Sequence, residues 1–128
     1  MEKETLTVET DIDGIVTYRN ADGNFHNAHG PAIIGKDDYK EHWIKGQRHN
    51  PDGPAVIRAD GCKWYYINGK LHNENGPAVV YSDGSKRYYI NGEELTKAKF
   101  KSWQAEQSAP LHNKIATIDG IEYTLTAK

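Results

Sequence analysis

Three histidines, His26, His49 and His72, recur 23 residues apart, each opening a heptad His-Asn-x-x-Gly-Pro-Ala. Imidazole binds metals and moves protons near neutral pH, so the row raises the questions of a metal site and of catalysis first. A metal ion needs several ligands converging at about 2 Å, whereas a fixed period supplies one histidine per repeat and sets them in a line. His26-x-x-His29 adds a pair, and nothing in the sequence supplies a third ligand. Each ladder histidine is followed by Asn and then a Gly-Pro turn, a setting in which the ring ties the turn's backbone by hydrogen bonds. The expected role is structural, with no metal and no cofactor.

Asp37, Asp60 and Asp83 keep the same period and begin turns, where a carboxylate accepts backbone N–H groups. An active site is used once, whereas these residues appear once per unit. The chain has no Gly-rich phosphate loop, no Gly-x-Ser-x-Gly elbow and no paired Cys/His arrangement. An enzyme is not expected. Two alternatives stay open: a hydrolase drawing on the ladder histidines, and a binder of a small nucleotide-like ligand in a pocket lined by His49, His72, Tyr65 and Tyr88.

The elements that position these residues follow from the same period. Gly23, Gly46, Gly69 and Gly92 form a second ladder, and nine of the twelve glycines lie on the 23-residue grid. After Gly-Pro-Ala comes a β-branched pair: Ile33-Ile34, Val56-Ile57, Val79-Val80. Asp60-Gly61 and Asp83-Gly84 mark turns, with Asp37-Asp38 in the first unit, and an aromatic return strand follows: His42-Trp43-Ile44, Tyr65-Tyr66-Ile67, Tyr88-Tyr89-Ile90. Asn68-Gly69 and Asn91-Gly92 close it as type I′ turns, which need positive φ at both residues. Strands of about four to six residues in an antiparallel meander result, and each unit must stack on its neighbours to bury a face.

The ends differ from the middle, as capping units do. Residues 5–19 read as a hairpin across Asp13-Gly14. Leu95 replaces the fourth ladder histidine, and Thr96 caps a helix running to about Ser108, stopped by Pro110. Phe100 and Trp103 stand at i, i+3 and are expected to cover the open end, while Lys97, Lys99 and Lys101 make a solvated basic edge. A hairpin at 114–126 across Asp119-Gly120 is expected to pair with the N-terminal one.

Composition narrows the class. Sixteen Lys and Arg against eighteen Asp and Glu leave a net charge of −2, which gives no electrostatic case for nucleic acid or an acidic membrane. No apolar run reaches the roughly 18 residues of a membrane span, and Met1-Glu-Lys-Glu-Thr does not read as a signal peptide. Cys62 is the single cysteine, which excludes an internal disulfide and points to a reducing, cytoplasmic setting. Ile, Leu, Val and Phe make only 23 of the 128 residues, so eight Tyr and three Trp must supply much of the core.

Positions constant between units are scaffold, and positions that vary are free for function. Trp43, Tyr66 and Tyr89 are always large. The residue two before each ring varies as Glu41, Trp64, Arg87, and the residue before the ladder histidine as Phe25, Arg48, Leu71, with Glu94 in the fourth unit. Gly35, Arg58 and Tyr81 form another varying series. By strand alternation Trp64 and Tyr66 share one face, and Arg87 and Tyr89 share the same one. A face bearing Trp43, Trp64, Tyr66, Tyr89, Tyr81, Arg58 and Arg87 has the composition of a protein-binding hot spot.

The 23-residue Gly- and Tyr-punctuated hairpin unit resembles the MORN (membrane occupation and recognition nexus) family. The run Tyr66-Ile-Asn-Gly-Lys-Leu-His-Asn-Glu-Asn-Gly-Pro-Ala78 is similar to the MORN-like "NGK-H…DGPA" repeats of small bacterial and phage proteins. The resemblance spans residues 20–95 and departs from MORN at the Gly-Pro-Ala signature, so lipid binding is not carried over. It implies a rigid hairpin scaffold for protein–protein contact, and a phage protein acting on a host defence or metabolic protein in the host cytoplasm. The chain as a whole is expected to be one all-β domain, monomeric or homodimeric: a cap at 1–19, repeats at 20–95, and a helix-plus-hairpin cap at 96–128.

Overall fold

Tight turns set the architecture. Asn68-Gly69 has φ of 50° and 80°, Asn91-Gly92 has 52° and 82°, and Lys45-Gly46 takes the same pair of values, 49° and 81°, in the first unit. Each closes a hairpin of the type I′ kind, whose twist matches that of the flanking strands. Glycine suits the second position because it carries no Cβ penalty at positive φ; Lys45 adopts the left-handed conformation at a cost.

The computed structural model describes residues 4–108 together with the backbone of 114–118 and 121–125. Strands β1 (Thr7–Thr10) and β2 (Val16–Arg19) form the N-terminal hairpin. The first rung holds β3 (Ile33–Ile34), β4 (Lys40–Glu41), β5 (Trp43–Ile44) and β6 (Gln47–Arg48). The second repeats it as β7 (Val56–Ile57), β8 (Lys63–Trp64), β9 (Tyr66–Ile67) and β10 (Lys70–Leu71). The third has β11 (Val79–Val80), β12 (Lys86–Ile90) and β13 (Glu93–Leu95), followed by helix α1 (Lys97–Ser108), β14 (Lys114–Ile118) and β15 (Ile121–Leu125). The fold is an antiparallel meander with one short C-terminal helix. No described helix is long and apolar enough to cross a membrane.

The meander branches, which the strand pattern alone does not reveal. One nine-stranded sheet runs β1-β2-β3-β4-β7-β8-β11-β12-β13, and the hairpins β5–β6 and β9–β10 stand outside it as two-stranded sheets. The expected aromatic strands of four to six residues are therefore split in two in the first and second rungs and intact only in β12. The chain changes partner at His42 and Tyr65, whose N–H groups donate to the carbonyls of Ala55 (2.6 Å) and Ala78 (2.7 Å). Ala55 and Ala78 at these junctions, and Ala32 at the equivalent place where its carbonyl accepts from the Tyr18 N–H, have no exposed surface, so the Ala of Gly-Pro-Ala marks a place with no room for a larger side chain.

Among the described residues the buried core is thin: those three alanines, Val56, Val79, Cys62 and Phe100, with His26 and Glu41 as its polar members. Asn27, Asn50 and Asn73 hold the heptad loops by donating from Nδ2 to the carbonyls of Pro31, Pro54 and Pro77 at 2.9–3.1 Å. Thr96 caps α1 through Oγ1, which accepts from the Lys99 N–H at 3.2 Å. Phe100 is buried against Tyr88, with ring centroids 4.8 Å apart, and Trp103 stacks on it at 6.2 Å. Among the described residues β14 and β15 pair with each other as a two-stranded sheet and not with the N-terminal hairpin as expected; Asp119-Gly120 lies outside those residues.

Candidate functional site

Cross-strand register places one row of side chains on a single face of the large sheet: Thr17, Ile33, Glu41, Val56, Trp64, Val79 and Arg87. The side hairpins extend this face with Trp43 opposite Arg48 and Tyr66 opposite Leu71, and β12–β13 of the large sheet does so with Tyr89 opposite Glu94. Guanidinium groups lie over the rings along it. Arg19 covers Phe25 at 4.1 Å, Arg48 lies 5.1 Å from Trp43 and 5.5 Å from Tyr66, Arg58 covers Trp64 at 5.6 Å and Arg87 covers Tyr89 at 5.8 Å. Phe25 and Trp43 meet at 5.3 Å. Arg19, Phe25, Trp43, Arg48 and Tyr66 thus form a continuous stack across neighbouring rungs.

All seven residues singled out as partner-binding occupy or border this face. Trp43, Trp64, Tyr66, Tyr81 and Tyr89 are half-buried, while Arg58 and Arg87 are exposed. Both Trp43 and Trp64 have indole nitrogens shielded from solvent and without a hydrogen-bond partner among the described residues. Phe25 and Arg48 belong to the stack too. Sequence reasoning placed them among the varying positions without joining them to the rings they face.

The varying positions turn out to be paired with one another. In the first rung Glu41 accepts from Arg48 Nε at 2.8 Å; in the third, Arg87 donates twice to Glu94 at 2.7 Å. These are the same two positions with the charges exchanged, and in the second rung they hold the apolar couple Trp64 and Leu71. Variation there is compensated within each rung, so it does not by itself mark freedom for function. Glu41 is 6% exposed and also accepts from the Tyr39 hydroxyl at 2.8 Å. Burial and that bond push the Tyr39 hydroxyl above its ordinary value. Burial opposes the Arg48 charge, but the hydrogen bond and charge of Glu41 outweigh it and hold the guanidinium above its usual range. The bond to Glu94, aided by the Tyr81 hydroxyl, raises Arg87, and Arg87 in turn lowers Glu94.

The ladder histidines sit at the joints between rungs. His26, His49 and His72 each accept at Nδ1 from a backbone N–H 19 residues on, those of Lys45 (2.8 Å), Asn68 (2.9 Å) and Asn91 (2.9 Å). The turn being held is that of the next rung. Nδ1 as acceptor puts the ring proton on Nε2, which leaves a neutral ring no free lone pair for base catalysis. Asp60 accepts from the Cys62 N–H, and Asp83 accepts from the Ser85 hydroxyl and then its N–H; these bonds hold both carboxyls below the ordinary value. Asp37 differs: it sits in the left-handed region at φ 55°, beside Asp38 at 64°.

The four residues of the small-ligand alternative do not converge. On the sheet face opposite Trp64 and Tyr66, an open trench runs under the heptad loops. Tyr65, Ile67 and His72 line one unit of about 750 Å³, and His42, Ile44 and His49 line its neighbour of about 550 Å³. Tyr88 lies beneath Phe100. Among the described residues, no three His, Cys, Asp or Glu side chains approach closely enough to share a metal ion. Comparison with protein-family models, curated proteins and solved structures finds no match to this chain.

Proposed function

We propose that the chain is a non-catalytic protein-binding repeat module whose contact surface is the Arg–aromatic face. The observation that carries the reading is the set of five guanidinium–ring contacts spread over neighbouring rungs. Arg and aromatic side chains dominate interface hot spots, and rings already held in place lose little freedom on binding. In the MORN-like reading the scaffold is a small bacterial or phage protein, and the partner is a folded host protein in the cytoplasm whose activity is blocked by coverage of its surface.

The test is retention of a partner from host lysate by wild type and by an Arg58→Glu, Arg87→Glu double variant, with folding checked by circular dichroism. A protein retained by wild type, lost by the folded variant and cross-linked to the Trp64–Tyr89 region supports the proposal. Equal retention by both removes this face from the contact. Failure to retain anything, together with binding of a nucleotide, transfers the function to the small-ligand reading.

A further inference from the structure

The trench on the opposite face has three equivalent units, and the third is filled. Its wall positions 23 residues apart are His42, Tyr65 and Tyr88, then Ile44, Ile67 and Ile90, then His49, His72 and Leu95. In the third unit α1 lies on the wall: Phe100 is 2% exposed and packs on Tyr88, and Gln104 Nε2 donates to the Glu74 carbonyl of the overhanging loop at 3.0 Å. A further cleft between Glu74 and Asn75 on one side and Trp103 and Gln107 on the other joins this helix to the open second unit, which Glu74 and Asn75 also line. The helix interface is therefore continuous with an unfilled stretch of the same trench.

We propose that the two open units dock a basic amphipathic helix of a partner protein, carrying aromatic residues at i and i+3. The helix already seated states the chemistry: Phe100 packs on Tyr88 of the sheet, Trp103 stacks on Phe100 beside the Glu74–Asn75 loop, and Lys97, Lys99 and Lys101 lie in the turns around Phe100. Charge agrees. Asp52 lines both open units and Glu74 one of them, and among the described residues no Lys or Arg lines either. Aromatic side chains find Tyr65, Ile67, His42 and Ile44 as their wall, and the partner's lysines lie against the two carboxylates. This surface is separate from the Arg–aromatic face, so either proposal stands without the other.

The probe is a hydrocarbon-stapled, fluorescein-labelled peptide of residues 96–108, titrated into the intact chain by fluorescence polarisation, with amide NMR to locate it. Expected is saturable binding with shifts at Tyr65, Ile67 and His72, weakened at least tenfold by Asp52→Lys and by alanine at both aromatic positions of the peptide. Arg58→Glu, Arg87→Glu leaves it unchanged. Asp52 is exposed and contributes only its backbone N–H to the loop, so Asp52→Lys keeps the fold, which circular dichroism checks. No saturable binding, indifference to Asp52→Lys, or shifts confined to Tyr88 and Phe100 overturns the proposal; the last means the peptide only displaces α1. Concentration-dependent dimerisation abolished by Asp52→Lys overturns it also, in favour of a second copy of this chain.

Discussion

Replacing Glu41 with alanine removes the acceptor of two hydrogen bonds at once, those from the Tyr39 hydroxyl and Arg48 Nε, both at 2.8 Å. The Glu41 side chain is 7% exposed and that of Arg48 is 34% exposed. Breaking a buried ion pair by deleting one partner costs roughly 3–5 kcal/mol, and the partial exposure of Arg48 lets water recover some of its charge, so the lower end, about 3 kcal/mol, applies. At roughly 3 °C per kcal/mol for a chain of this size, the melting temperature falls by about 10 °C. Thermal and urea unfolding followed by tryptophan fluorescence reads the change. Glu94→Ala at the equivalent ion pair of the third rung is the internal control. Its pair stands in solvent with side chains 46% and 42% exposed, and the loss there is far smaller. Exchanging the charges in place, Glu41→Arg with Arg48→Glu, reproduces the third-rung order and recovers the ion-pair part of the loss, while the Tyr39 hydroxyl stays without its carboxylate acceptor. A Glu41→Ala loss no greater than that of Glu94→Ala, or no recovery on exchange, refutes the argument that these positions vary as compensated pairs.

Three further outcomes follow from the same geometry. Lys45→Asn, which installs the residue used at Asn68 and Asn91, relieves a lysine held at φ 49° and raises stability by about 1 kcal/mol, seen as a higher melting temperature. Phe100→Ala empties the contact with Tyr88 at a cost of roughly 3–5 kcal/mol, so the helical circular dichroism signal melts below the strand signal. Burial, then the charge of Lys40, holds His42 below its ordinary value of 6.5. The unfolded chain takes up that proton first, so this contribution to stability is full above about pH 6.5 and is lost as pH falls through the lower folded value. Urea midpoints from pH 8 to 4.5 show the decline in wild type and a flatter profile in His42→Gln. Below that range a second decline sets in as Asp60, Asp83 and Glu94, all held low, are protonated.

Local rules were readable because they act over a few residues. Asn68-Gly69 and Asn91-Gly92 form the turns their φ preferences require, Thr96 caps the helix, and Phe100 and Trp103 cover the last rung as their spacing implies. The branch at His42 and Tyr65 was not readable, since alternation looks the same whether a strand keeps its neighbour or changes it. The ladder histidines were expected to tie their own turn, yet each holds the turn 19 residues on, and only stacking of the rungs creates that partner. Arg48 and Glu94 likewise vary between rungs because they answer Glu41 and Arg87, and a position considered singly cannot show what it answers.

The histidine joints have a consequence for synthesis. Strand pairings, turn bonds and histidine bonds that join one rung to the next reach only 13 to 21 residues along the chain. Closure of such short loops is fast and independent of total length. As the ribosome extends the chain, each histidine waits for a single following segment, receives its N–H and fixes that rung before the next emerges. Growth proceeds vectorially from the first rung, and α1 arrives only after the sheet it covers is complete.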